Sequence, residues 1–172
     1  TNTGNTDHNN YTNLTVLNTS PTSPQVLLAG DVTITNSLVL QDGNIGTTDN
    51  YTLILSNTSS SALSGYSANS YIVGNFRQYI TRNTETYAFP LGYGATNEYY
   101  WAKIVNNNLE NTDYLTATFK QLPEAERNAP IEVYDDGTLL TYMYPSGIWT
   151  IEPDHQPSKG SYTIEVGIDN FQ

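Results

Sequence analysis

Tyr71-Ile72-Val73-Gly74-Asn75-Phe76-Arg77, followed by Tyr87-Ala88-Phe89-Pro90-Leu91-Gly92-Tyr93-Gly94, is the stretch on which the fold turns. It lies between two kinds of sequence. Before it, short aliphatic triplets stand among Asn, Thr and Ser: Val26-Leu27-Leu28, Val32-Thr33-Ile34, Leu38-Val39-Leu40 and Leu53-Ile54-Leu55, with Tyr71-Ile72-Val73 as the last. Gly30-Asp31, Asp42-Gly43-Asn44 and Asn57-Thr58-Ser59 supply the turns. After it, longer Tyr-rich segments alternate apolar and polar side chains, as in Leu115-Thr116-Ala117-Thr118-Phe119-Lys120 and Tyr162-Thr163-Ile164-Glu165-Val166. The stretch therefore reads as a joint between two sorts of β-structure.

Upstream, Ser37-Leu38-Val39-Leu40-Gln41-Asp42 superposes on Thr52-Leu53-Ile54-Leu55-Ser56-Asn57, a short internal repeat. Strands this brief cannot bury a face alone, so repeated strand-turn units stack along an axis as a parallel β-solenoid; the alternative is a meander whose triplets recur by chance. Downstream, strands are predicted at 86–90, 100–105, 114–120, 131–134, 139–144, 147–152 and 161–167, the pattern of an antiparallel β-sandwich. Asp135-Asp136-Gly137 marks a tight hairpin. Only Pro123-Glu124-Ala125-Glu126-Arg127 looks helical. The expectation is an all-β chain, a short parallel β-solenoid followed by an antiparallel β-sandwich. Its parts are a flexible Asn/Thr-rich lead-in at 1–24 with a strand at Leu14–Leu17, solenoid-like rungs at 25–83 and the sandwich at 84–172.

The 172 residues suffice for a sizeable core. Charged residues make up 13% and the net charge is -11, so the surface is solvated largely by amides and hydroxyls and repels phosphate backbones and anionic membranes. Nucleic-acid binding and membrane insertion are not expected, since no apolar run approaches the roughly 20 residues that span a bilayer. With 0 cysteines, neither disulfides nor thiolate-metal sites can form. A start at Thr1 without a basic-then-apolar leader reads as an excised fragment or a mature product.

The joint also carries a resemblance. Tyr71-Ile72-Val73-Gly74-Asn75-Phe76-Arg77 with Tyr87-Ala88-Phe89-Pro90-Leu91-Gly92-Tyr93-Gly94 resembles a pattern in large secreted surface proteins of Bacteroidota, many of them cargo of the type IX secretion system. Gly147-Ile148-Trp149-Thr150-Ile151-Glu152-Pro153 and Ser161-Tyr162-Thr163-Ile164-Glu165-Val166 look like that family's Trp-containing strand and its partner. The resemblance spans about Gln25 to Phe171 and implies a secreted or cell-surface location, with Tyr71-Ile72-Val73 closing the solenoid and a Phe89-Pro90-Leu91-Gly92 turn opening the sandwich. Where that family has a Tyr-Arg-Pro-like strand start, this chain has Glu98-Tyr99-Tyr100-Trp101-Ala102, which sets extra aromatic area beside the joint.

Catalysis finds little footing. The only histidines are His8 and His155, both in polar or Pro-rich surroundings, and no Gly-x-Ser-x-Gly elbow occurs. Glu85, Glu98, Glu110, Glu152 and Glu165 could form a hydrolytic pair only if two met within about 5–10 Å. No cofactor is expected; a structural Ca²⁺ is the open case, because Asp and Asn cluster at Asp42-Gly43-Asn44, Asp49-Asn50, Asn111-Thr112-Asp113 and Asp135-Asp136-Gly137, although none has EF-hand spacing. Arg77 and Arg82 are read as ties to nearby carboxylates.

Two functions follow. The first is a non-enzymatic structural or adhesive module of a large secreted or surface bacterial protein, working against neighbouring modules of the same chain and a surface ligand. The second is a carbohydrate-binding module appended to a polysaccharide-degrading enzyme, in which Tyr93, Tyr99 and Tyr100 form an exposed strip for glycan stacking. Strand alternation sets one limit: if Tyr100 faces out, Tyr99 and Trp101 face in, and Trp101 and Trp149 are read as core residues.

Overall fold

The computed structural model describes residues 9–94, 98–123, 133–135, 137–140 and 147–169; the expected helical residues 124–127, the lead-in residues 1–8 with His8, and the 141–144 end of one expected strand lie outside these. The chain is almost entirely β, with parallel coils stacked as a β-solenoid of about four turns. Each coil lays one strand in each of two sheets. In the first sheet β1 (Asn10–Leu17), β3 (Val32–Asp42), β5 (Thr52–Leu55) and β8 (Asn75–Tyr79) are parallel, and the two-residue β6 (Leu63–Ser64) pairs with the second half of β3. In the second sheet β2 (Val26–Leu27), β4 (Ile45–Gly46), β7 (Ile72–Val73) and β9 (Glu85–Tyr93) are parallel.

Both sheets then reverse direction without ending. β11 (Tyr114–Gln121) and β14 (Gly147–Pro153) extend the first sheet antiparallel to β8, while β10 (Glu98–Glu110) and β15 (Lys159–Ile168) extend the second antiparallel to β9. The expected hairpin is present as β12 (Val133–Asp135) and β13 (Thr138–Leu140), turning at Gly137 with φ 80. A parallel solenoid followed by an antiparallel sandwich is thus the fold, and one core serves both: Leu38, Leu53, Phe76, Phe89, Tyr100 and Phe119 belong to a single buried cluster.

The stacking register differs from the Leu38/Leu53 repeat. Leu53 pairs with Val32, whereas Leu38 pairs with Leu14 on one side and Leu63 on the other. The true columns run Val32, Leu53, Phe76, Ala117, Ile151 across one sheet and Val26, Ile45, Ile72, Leu91, Tyr100, Ile168 across the other. A triplet of alternating aliphatics fits any two-residue step of such a column, so local similarity leaves the register undetermined. The third coil also interrupts its first-sheet run: a 3₁₀ turn at Ser60–Ala62 lies between β5 and β6.

Three boundaries also differ from the sequence reading. β1 covers Asn10–Leu17, so the polar half of the supposed lead-in is already a rung, held by its ladder to β3. Tyr71-Ile72-Val73 does not close the solenoid, because β7 is followed by one more coil, β8 with β9. Phe89-Pro90-Leu91-Gly92 is the middle of β9 and not a turn. Proline is tolerated there because the pairing phase of β9 turns the Pro90 nitrogen away from β10, toward the two-residue β7, so no donor to β10 is lost.

The Asn and Thr content has a structural use at the coil corners and where the β1–β3 register shifts, since backbone groups that leave the ladders need other partners. Asn36 Nδ2 donates to Asn13 Oδ1 at 2.7 Å, and Asn57 Nδ2 donates to the Asn36 carbonyl at 2.9 Å, linking three successive coils. Thr47 Oγ1 accepts from the Asn75 N–H at 2.7 Å, at the corner where Gly74 adopts φ 107. A Cβ on Gly74 would strike Thr47, so the corner requires glycine twice over.

Asn44, 2% exposed, is the most enclosed of these links. Its N–H donates to Gln25 Oε1 at 2.7 Å, its Nδ2 donates to Ser23 Oγ at 3.0 Å, and its Oδ1 accepts from the Tyr71 N–H at 3.0 Å. Asn44→Ala removes the Oδ1 acceptor of the Tyr71 N–H and the bond to Ser23, and is expected to destabilise the fold by about 1–3 kcal/mol, read as a lowered urea midpoint at unchanged slope.

Candidate functional site

Glu98-Tyr99-Tyr100-Trp101-Ala102 forms the start of β10, so successive side chains alternate between the inner and outer faces of the second sheet. Tyr100 points inward and is 1% exposed. Its ring stacks on Phe119 at 3.9 Å between centroids with an interplanar angle of 11°, and meets Trp149 edge-on at 6.1 Å. Phe119 and Trp149 close the triangle at 5.0 Å, and Trp149 Nε1 donates to the Tyr100 carbonyl at 3.3 Å. The cluster ties β10 of one sheet to β11 and β14 of the other.

Tyr99 points to the opposite face and is nevertheless 6% exposed, because a second aromatic layer covers it. Tyr71 stacks on it at 5.9 Å, and burial, with Tyr66 and Asp169 nearby, pushes its phenol well above the usual tyrosine range. The exposed strip Tyr93, Tyr99, Tyr100 is therefore not formed: two of its three rings are buried, on opposite faces of one strand. Alternation was the right rule, and the second layer is what it could not anticipate. Trp149 packs against the core as expected, whereas the half-buried Trp101 lies on the outer face over Gly167, where any Cβ would strike the indole, with Lys103 Nζ 4.8 Å from the ring centroid.

Tyr93 is the one accessible member of the set. It is half-buried, its carbonyl accepts from Tyr71 Oη at 3.4 Å, and it lines an open cleft of about 450 Å³ with Thr47, Asp49, Thr118, Lys120 and Gln121. Lys120 Nζ and Asp49 Oδ1 stand 3.5 Å apart there. The buried Thr118 Oγ1 has no hydrogen-bond partner. This cleft sits at the corner between β7 and β8, the joint identified from sequence.

Of the carboxylate candidates, two have a bonded partner and a third faces a cation across the ladder. Glu85 Oε2 accepts from the Ser60 N–H at 2.8 Å, Glu110 Oε2 lies 3.5 Å from Lys159 Nζ, and Glu165 stands opposite Lys103 in the ladder. The exposed His155 touches Asp154, whose carboxyl is held below its ordinary range: burial pushes it up, but the Asp113 N–H, the His155 side chain and the Tyr114 N–H together outweigh that. Among the described residues no three His, Asp or Glu side chains converge on a point that could hold a metal. Arg77 does not pair with a carboxylate among the described residues; its Nε donates to Thr116 Oγ1 at 3.2 Å and its guanidinium lies 4.3 Å from the Tyr114 ring centroid.

Two buried polar positions were missed by sequence reasoning. Tyr87, 0% exposed, accepts from the Thr81 N–H and donates to the Thr58 carbonyl, both at 2.8 Å, pinning the loop before β9 to the third coil; burial pushes its phenol up to about 12. Gln78 is fully buried in the column of Ile34, Leu55 and Leu115, and neither amide atom has a hydrogen-bond partner. Gln78→Leu keeps the volume and removes two unsatisfied groups, so it is expected to stabilise the protein by about 1–2 kcal/mol in urea unfolding. An Asn recurring at coil spacing, 23 residues from Asn13 to Asn36 and 21 from Asn36 to Asn57, was a signal available in the sequence for the corner network.

No protein-family model, curated protein or solved structure matches this chain.

Proposed function

We propose that the chain is a non-enzymatic structural module of a long secreted or surface-attached bacterial protein, of the sort exported as type IX cargo, and that it holds an adhesive part away from the cell. The observation that carries this reading is the use of the aromatic and amide side chains: Tyr100, Phe119 and Trp149 tie the two sheets together, and Asn13, Asn36, Asn44 and Asn57 tie coil to coil. Backbone ladders that run unbroken from parallel to antiparallel strands make a stiff rod, and an acidic, hydroxyl-rich surface keeps such a rod soluble. The test is surface labelling of intact cells of the source organism with an antibody raised against this chain. Labelling before permeabilisation is expected; labelling only after it overturns the reading.

A second reading, a carbohydrate-binding module, draws on the Tyr93 cleft, where one accessible aromatic ring stands beside amide, ammonium and carboxylate groups. Retention on insoluble polysaccharides that is lost in Tyr93→Ala would favour this module over the purely structural one. Retention on none removes it.

A further inference from the structure

β15 lies at the end of the second sheet, and its outer edge faces no strand among the described residues. Its hydrogen-bond phase follows from one contact. Asp169 N–H donates to the Tyr99 carbonyl at 3.2 Å, and that pair continues the register Gly167/Trp101, Glu165/Lys103, Thr163/Val105 and Ser161/Asn107. In an antiparallel ladder alternate residues direct both backbone groups to the same neighbour. Ser161, Thr163, Glu165 and Gly167 thus turn toward β10, while Tyr162, Ile164 and Val166 turn their N–H and C=O to the open edge.

The same three residues carry an exposed apolar row, with Tyr162 58%, Ile164 46% and Val166 49% exposed. They stand beside the inward-facing Asn106, Ile104 and Ala102, so the row continues the inter-sheet core. Tyr162 and Ile164 also meet Leu115, Ile151 and Pro157 around a groove of about 180 Å³. Soluble monomers blunt such edges with proline, inward charge or bulges. Between Ser161 and Ile168 there is no proline, and the one charge, Glu165, is opposite Lys103.

We propose that this edge pairs antiparallel with the same edge of a second copy, about a two-fold axis at Ile164. That register sets Ile164 against Ile164 of the second copy, Tyr162 against its Val166, and Lys159 against its Asp169, the last two pairings each occurring twice. The inner row is then aromatic against β-branched, and opposite charges meet at both ends, the combinations that favour cross-strand pairing. Ile164 belongs to the outward-turned set, so the central bonds form between the two copies. A half-residue shift of the axis, one residue of register, would oppose backbone groups already bonded to β10, and an axis at Thr163 or Glu165 keeps the outward-turned residues opposed but takes Lys159 away from Asp169. Shifting it to Tyr162 brings Gly160, where φ is 94 and the strand bends, against Ile164 near the centre of the pairing, whereas the Ile164 axis leaves it near the end, against Ile168. The product is an isologous dimer in which two six-stranded sheets become one.

The test is sedimentation velocity of the full chain from micromolar to millimolar concentration, at physiological salt, where charge repulsion between copies is screened beyond about 8 Å. A monomer–dimer equilibrium is expected. Ile164→Pro removes a donor that faces away from β10, so dimerisation is expected to weaken at least about 100-fold with the circular dichroism spectrum retained. Should that variant lose its spectrum, the charge exchange decides: Lys159→Asp or Asp169→Lys alone weakens association about tenfold, and the two together restore it to within about threefold. A wild-type chain that stays monomeric at millimolar concentration overturns the proposal. So does a dimer indifferent to a folded Ile164→Pro, or a double exchange weaker than either single change.

Discussion

Tyr100→Ala is expected to destabilise the protein by about 3–5 kcal/mol, the range for removing a fully buried large aromatic side chain. The ring is 1% exposed, stacks on Phe119 and meets Trp149 edge-on. Its removal opens a cavity at the three-ring contact between the two sheets and unsettles the Trp149 indole, whose Nε1 bonds the Tyr100 carbonyl. For a chain of this size the melting temperature is expected to fall by about 10 °C, with a change in tryptophan fluorescence in the native baseline. A fall of a degree or two, with unchanged fluorescence, would mean that Tyr100 is a surface group after all. The experiment therefore also separates a core role from the glycan-stacking role that its place in the sequence suggests.

The second large effect is expected at Phe76. It stands where β8 pairs parallel with β5 on one edge and antiparallel with β11 on the other, between Leu53 and Ala117. Its ring is fully buried and meets Phe89 of the facing sheet edge-on at 5.8 Å. Phe76→Ala is expected to cost about 3–5 kcal/mol in chemical unfolding. Because the residue belongs to both halves of the fold, the loss should appear equally in fluorescence from Trp101 and Trp149, which lie in the antiparallel part, and in the β-sheet dichroism of the whole chain. A loss confined to one signal would place Phe76 in a subdomain of its own.

These two residues show what was legible in the sequence. The aliphatic triplets and the alternation after Glu85 identified an all-β solenoid running into an antiparallel sandwich, because period and strand length are local properties. Register was not local: Leu38 and Leu53 looked equivalent, yet Leu53 rests on Val32 and Leu38 on Leu14 and Leu63, a choice made by the corners and by the segment between β5 and β6. Pro90 looked like a turn residue because proline usually punctuates strands, and only the ladder phase of β9 shows that its missing N–H is harmless there. The aromatic run at Tyr99 to Trp101 was correctly found as an unusual feature. Its burial depended on Tyr71, Phe119 and Trp149, which are distant in sequence, and so no reading of the run alone could settle which rings meet solvent.

That the solenoid and the sandwich are one body rests on two sheets and one core crossing the joint at residues 75–98. Equilibrium unfolding of the intact chain in urea tests this most directly, with tryptophan fluorescence reporting the antiparallel end and far-ultraviolet dichroism reporting all strands. Coincident transitions with one midpoint and one slope are predicted. A fluorescence transition separated from the dichroism transition would show that the antiparallel strands melt apart from the coils, and would contradict a shared core.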